Sequence, residues 1–107
     1  MKEYLIKRFN SDMLDIYKRA KSEVKYNAIR YIHMLTEHGG LETAHILLNS
    51  TAISEGYAAL WERGRLDLTV EALIWENVEY HELFTEDEIR IAKKRLIDYK
   101  YAPAMKG

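Results

Sequence analysis

The sequence predicts an all-α fold, a compact single domain of about six short helices that cross at sharp angles rather than run as long parallel rods. Apolar residues recur at intervals of three and four along most of the chain, which is the period of a half-buried helix. Polar cap residues precede these stretches, and glycines follow two of them. The chain has 107 residues, enough for one hydrophobic core and too few for two ordinary domains.

The first predicted helix starts at Asn10 or Ser11, because either side chain can accept a hydrogen bond from a free amide of the first turn. Residues 1–9 are then an N-terminal extension. The apolar positions of this helix follow the i, i+3, i+4, i+7 pattern, and they are Met13, Ile16, Tyr17, Ala20 and Val24.

The second predicted helix starts after a cap at Asn27 and ends at Gly39-Gly40, since glycine readily adopts the left-handed conformation that terminates helices. A short third helix is predicted over residues 41–49. A fourth starts at Ser54 and ends at Gly64. Its predicted inward residues are Tyr57, Leu60 and Trp61.

Residues 65–71 alternate between polar and apolar types, as a strand does, but we favour a fifth helix. Asp67 or Thr69 can cap it, and Glu71 falls in the first turn, where the helix dipole favours an acid. The sixth helix has the strongest start signal, because Thr85 and Glu88 match the capping box. It runs to about Tyr99 and leaves residues 102–107 as a flexible tail.

Composition and charge exclude several kinds of site and several classes of protein. The chain has no cysteine, and 16 basic residues nearly balance 17 acidic ones. It therefore lacks disulfides and thiolate metal sites, and it offers little nonspecific attraction to phosphate. No apolar stretch approaches the roughly 18 residues that a membrane span needs. We expect a cytoplasmic protein that does not enter the membrane.

The sequence predicts no catalytic residue, metal site or cofactor. Glu42 and His45 have the Glu-x-x-His spacing of di-metal bundles, but such sites need a second copy. His33, His38 and His81 have no glutamate three residues before them. Nucleophile elbows and glycine-rich phosphate loops are also missing from the sequence.

Arg65, Asp67, Glu71 and His38 are candidate ligand-binding residues. An arginine fork can bind a carboxylate or phosphate through two hydrogen bonds, and His38 could act as a base beside the glycines. The favoured alternative is structural. Arg65 then pairs with Asp67 or Glu71 at the helix junction, and His38 interacts with a helix C-terminus.

Aromatic residues are the second set of candidates. Tyrosine is enriched at interfaces because its ring packs while its hydroxyl stays hydrated. We expect Tyr26, Tyr80 and Tyr101, at the edges of predicted elements, to lie in an interface. Trp61 and Trp75 have core-like helical spacing, and we expect them to be packing anchors.

Three motifs span most of the chain: His38-Gly39-Gly40, Leu60 to Glu71 (Leu-Trp-Glu-x-Gly-Arg-Leu-Asp-Leu-Thr-x-Glu), and Leu83 to Glu88 (Leu-Phe-Thr-x-x-Glu). With these motifs the chain resembles a group of small bacterial helical proteins and modules of unassigned function. The resemblance covers roughly residues 12–101 and implies a bacterial, intracellular helical domain. It implies no activity and no catalytic residue.

These observations favour a non-enzymatic module that binds another protein or itself through a tyrosine-containing groove near residues 64–71. One alternative is association with nucleic acid. It would use the basic C-terminal helix together with a cluster early in the chain, namely Lys18, Arg19, Lys21, Lys25 and Arg30. A second alternative is a small enzyme or enzyme accessory with a pocket at the 64–71 junction, which requires Arg65, Asp67, Glu71 and His38 to converge.

Overall fold

Helices account for all the regular secondary structure of residues 2–105, the part of the chain that the computed structural model describes. The α-helices are α1 (Lys2–Glu23), α2 (Ile29–Leu48), α3 (Glu55–Glu62), α4 (Val70–Glu76), α5 (Glu86–Asp98) and α6 (Ala102–Met105). Two 3₁₀ segments, Leu66–Leu68 and Val78–Leu83, flank α4. The Cα radius of gyration is 12.8 Å, close to the value of about 13 Å for a compact domain of this length. The all-α, single-domain prediction is confirmed.

The core forms where α1 crosses α2 and α4 packs on α5. Helix α1 contributes one buried stripe, which includes Phe9, Met13 and Ile16. Residues 2–9, assigned by the sequence to an extension, are the first turns of this helix. At the other end, Ala102–Met105 is helical where the sequence predicts a tail, and Ala104 is buried; residues 106 and 107 lie outside the described part.

The second and third predicted helices are two halves of α2, joined at a kink. Gly39 has a φ of 81° and a ψ of 168°, so the helical path is interrupted there. The Leu41 amide donates to the side-chain Oδ1 of Asn10 at 2.9 Å. Asn10 therefore does not start α1. Instead, it satisfies an amide at the start of the second half of α2.

Three of the predicted caps are confirmed. Ser54 accepts from the Tyr57 amide, Thr69 accepts from the Ala72 amide, and Thr85 forms the full capping box with Glu88. The cap predicted at Asn27 is wrong, because Ala28 occupies the N-cap position of α2. The Asn27 side chain instead accepts from the Tyr17 hydroxyl at 2.7 Å.

Glu88 also joins α5 to the end of α2. Its carboxylate contacts His45 Nδ1 at 2.6 Å and accepts from Asn49 Nδ2 at 2.8 Å. Burial raises the pKa of Glu88, but the hydrogen bonds from His45, the Thr85 amide and Asn49 outweigh it and hold the pKa below its usual value. The ionised carboxylate therefore stabilises this junction.

Replacing Gly40 with alanine tests the closeness of α1 and α2. A Cβ at Gly40 would lie 2.7 Å from Asn10 Oδ1 and 2.9 Å from Asn10 Cα, so backbone must move. We expect G40A to lower the free energy of unfolding by about 1–3 kcal/mol in urea titrations. The control is Gly56→Ala, whose Cβ would meet nothing nearer than 3.8 Å. Equal stability of G40A and wild type would contradict the close packing.

The α2–α5 junction makes the stability depend on pH. In Glu88→Gln the capping box is kept but the carboxylate is lost. Because the folded pKa of Glu88 lies below its unfolded value, the contribution of the carboxylate is present above about pH 4.3 and is lost as the pH falls through the folded pKa. We expect the stability difference between wild type and E88Q to shrink from pH 5 to pH 2 in urea titrations. A constant difference would show that the carboxylate is not coupled to folding.

Candidate functional site: the tyrosine cavity

A mostly apolar cavity of about 80 Å³ lies between the second half of α1, the starts of α2 and α3, and the 3₁₀ turn that leads into α4. We call it the tyrosine cavity. It reaches the surface at two exposed charged residues, Arg30 and Glu55. Its walls include Ala20, Tyr26, Tyr31, Tyr57, Leu60 and Leu68.

Hydrogen bonds within the protein hold the walls of the cavity in place. The Tyr31 hydroxyl donates to the Met13 carbonyl and the Tyr57 hydroxyl donates to the Arg95 carbonyl, both at 2.8 Å. Burial raises the pKa of both phenols, so both stay protonated as donors at neutral pH. The rings are therefore fixed before any ligand binds, which lowers the entropy cost of binding.

Glu71 lies at the cavity wall and is held by Arg95. It is only 3% exposed, and its carboxylate accepts from Arg95 Nη1 at 2.9 Å. Burial raises the pKa of Glu71, although Arg95 opposes the shift. Arg95 also donates to the carbonyls of Leu47 and Ser50, at 3.1 and 2.8 Å. The pair thus fixes the cavity wall to α5 and to the chain around the end of α2.

The candidate ligand-binding residues Arg65, Asp67, Glu71 and His38 are only partly brought together. Arg65 donates to Asp67 through Nε at 2.9 Å and Nη2 at 3.1 Å, and to Glu23 at 2.6 Å. The structural interpretation of Arg65 and Asp67 is thereby supported. Glu71 pairs instead with Arg95, and no hydrogen bond or ion pair between described residues joins exposed His38 to this group. The four residues thus do not form one pocket.

Two of the three tyrosine candidates, Tyr26 and Tyr80, lie in different surroundings. Tyr26 lines the cavity, with the Arg63 guanidinium 4.9 Å from its ring centroid. The prediction that Tyr80 lies at an interface is wrong, since Tyr80 is 0% exposed. Its 3₁₀ segment turns it into the core, where its ring is 5.0 Å from that of Phe9 and its hydroxyl donates to Asp12.

The expectation for the two tryptophans holds only in part. Trp61 is 48% exposed and contacts Tyr99 by its edge, so the prediction that it lies in the core is wrong. Trp75 is half-buried against a core cluster, and the Lys93 ammonium lies 4.8 Å from its ring centroid.

Three of the basic residues considered for nucleic acid form ion pairs within the protein. Arg19 pairs with Glu23, Lys94 with Asp98, and Arg95 with Glu71. This reduces the free charge on the C-terminal helix. Arg30 differs from these residues. It lines the cavity, and none of the ion pairs among residues 2–105 includes it.

The sequence predicts a tyrosine-containing groove near residues 64–71 but does not identify the tyrosines that line the cavity. Tyr17, Tyr31 and Tyr57 occupy core-like helical positions, and each carries a hydroxyl that needs a partner when buried. That requirement is the signal that could have separated them from ordinary core residues. The Glu71 partner, Arg95, is 24 residues away, so no local pattern indicates it.

Within residues 2–105, no group of three or more histidines, cysteines and acids is placed to hold a metal ion. Across the same range, no helix has the length and apolar character needed to cross a membrane. No protein-family model matches the chain, and comparison with curated proteins and with solved structures also finds no match. The resemblance based on the three sequence motifs stays a prediction.

The buried ion pair predicts a large cost when only one partner is removed. In Arg95→Met the Glu71 carboxylate stays buried without its cation, and we expect a loss of about 3–5 kcal/mol in the free energy of unfolding. The double variant Glu71→Leu with Arg95→Met removes both charges, and we expect it to recover more than half of that loss. Urea titrations of the two variants measure this. A double variant less stable than R95M would contradict the pairing.

Proposed function

We propose that this chain is a protein-interaction module that holds one aliphatic side chain of a partner protein in the tyrosine cavity. The proposal rests on one observation, a preformed apolar cavity that opens at the surface. Binding sites combine apolar walls with a few placed polar groups, and this cavity has that character. The absence of cysteine from the sequence favours a cytoplasmic partner.

The size of the cavity selects the kind of side chain. A cavity of about 150 Å³ accepts benzene, whereas the tyrosine cavity has about 80 Å³. A leucine, isoleucine or valine side chain suits this smaller space better than an aromatic ring. Full burial of such a side chain is worth about 1.5–3 kcal/mol, enough to anchor a segment that makes further contacts around it.

The polar groups in the walls also favour an apolar occupant. A water molecule in a cavity needs two to four polar partners. The hydroxyls of Tyr31 and Tyr57 already donate to backbone carbonyls, and the Glu71 carboxylate is paired with Arg95. These groups therefore offer few hydrogen bonds to an occupant.

Gly56 provides a variant that fills the cavity. It lines the cavity, and a Cβ there would lie 3.9 Å from the Tyr26 hydroxyl. We expect Gly56→Leu to place its side chain in the space and to weaken binding at least tenfold, whereas Gly56→Ala leaves the space open. Peptides selected from a random displayed library against the wild type, then titrated against both variants, measure this.

The expected result is a set of peptides with one shared aliphatic position that bind wild type and G56A alike and lose affinity for G56L. Urea titration of G56L confirms that it is folded. Peptides that bind all three proteins equally would contradict the cavity as the site. A selection that yields no peptide would contradict the proposed function. Peptides that compete with self-association would identify a second copy as the partner.

A further inference from the structure

Arg30 stands at an unfavourable position within its own helix. It lies in the first turn of α2, where the helix dipole disfavours a cation. That turn has no acidic residue, and its N-cap, Ala28, supplies no side-chain acceptor. Among the ion pairs of residues 2–105 none engages Arg30. The sequence thus breaks a local rule here without a compensating ion pair in the described part of the chain, which is expected at functional positions.

The other two charged residues of the cavity, Glu71 and Glu55, have more favourable surroundings. The buried carboxylate of Glu71 is paired with Arg95. Glu55 has no ion-pair partner among residues 2–105 either, but it lies in the first turn of α3, where the helix dipole favours an acid. Arg30 is therefore the charge at the mouth that its own helix disfavours. An occupant with a negative charge near this point is therefore favoured.

Resting on the proposed function, we infer that the partner segment carries an aspartate or glutamate next to its aliphatic residue, and that Arg30 binds this carboxylate. The aliphatic side chain enters the cavity, whose walls include Leu60 and Leu68, and the acidic side chain stays at the exposed mouth. The guanidinium fork matches a carboxylate through two parallel hydrogen bonds. Arg30 is then a specificity residue, and the apolar walls supply the anchor.

Capped tripeptides test the aliphatic anchor and the acidic contact with Arg30 separately. The probes are Ac-Glu-Leu-Glu-NH₂, its uncharged analogue Ac-Gln-Leu-Gln-NH₂, and Ac-Glu-Ala-Glu-NH₂, which lacks the aliphatic anchor. Chemical-shift titration of the labelled protein gives the dissociation constant and the location for each. Because an exposed ion pair is worth up to about 1 kcal/mol, we expect the first probe to bind about three to five times more tightly than the second at low salt.

Matched variants assign the preference to Arg30. Arg30→Gln removes it, Arg30→Lys retains part of it, and Lys7→Gln, an equal charge change early in α1, leaves it intact. The preference also falls at 0.5 M NaCl, because exposed charges are screened. The Ac-Glu-Ala-Glu-NH₂ probe is expected to bind more weakly than either leucine peptide.

The outcomes distinguish a failure of the role inferred for Arg30 from a failure of the proposed function. Equal binding of the two leucine peptides at the cavity, or a preference that persists in R30Q, overturns the role of Arg30 and leaves the aliphatic site standing. Equal binding of Ac-Glu-Leu-Glu-NH₂ and Ac-Glu-Ala-Glu-NH₂ overturns the aliphatic anchor. If no peptide perturbs the cavity residues, both the inference and the proposed function are contradicted.

Discussion

The buried pair of Glu71 and Arg95 is the interaction on which the arrangement of the helices depends. One guanidinium holds the carboxylate at the start of α4 and two carbonyls at and beyond the end of α2, those of Leu47 and Ser50. The last carbonyls of a helix have no partner within it, so Arg95 satisfies groups that would otherwise need water. Because Glu71 also lines the tyrosine cavity, the same pair fixes both the packing of α5 and the shape of the candidate site.

Other polar side chains around the cavity also form hydrogen bonds to backbone groups in distant parts of the chain. Asn10 satisfies an amide beyond the kink in α2, and the hydroxyls of Tyr31 and Tyr57 donate to carbonyls of other elements. Each of these bonds joins parts of the chain that are distant in sequence. A buried network with satisfied donors makes the fold specific. The cavity is therefore built from rings whose positions are set by their hydroxyls, and Arg30 remains at its edge as an unpaired charge among the described residues.

The sequence was sufficient to predict the helix caps whose hydrogen bonds are local. Ser54, Thr69 and Thr85 were identified as caps because each hydroxyl bonds an amide only three residues away. Asn10 and Asn27 carry equally good capping chemistry, yet their side chains bond residues in other elements. Local patterns cannot distinguish these two uses. The start of α1 was missed for this reason.

Local sequence patterns were also insufficient to predict the candidate site. A groove near residues 64–71 was expected from the tyrosine content, whereas the walls of the tyrosine cavity come from five separate segments, residues 16–20, 26–34, 47, 54–60 and 68–71. Helical periodicity also could not tell that Trp61 is exposed and that Tyr80 is buried, since a 3₁₀ segment turns Tyr80 inward. The sequence offered Asp67 or Glu71 as the partner of Arg65, and Asp67, two residues away, is the one that Arg65 bonds. The partner of Glu71 lies on another helix and was not predicted.

The most direct test of the account is where the leucine methyl groups of Ac-Glu-Leu-Glu-NH₂ lie when the peptide is bound. Isotope-filtered nuclear Overhauser measurements on the labelled protein report this at atomic distance. The account predicts contacts from those methyl groups to the methyl groups of Leu60 and Leu68 and to the Tyr26 ring. Contacts to Trp61 or Val78, which are exposed apolar residues outside the cavity, would contradict it.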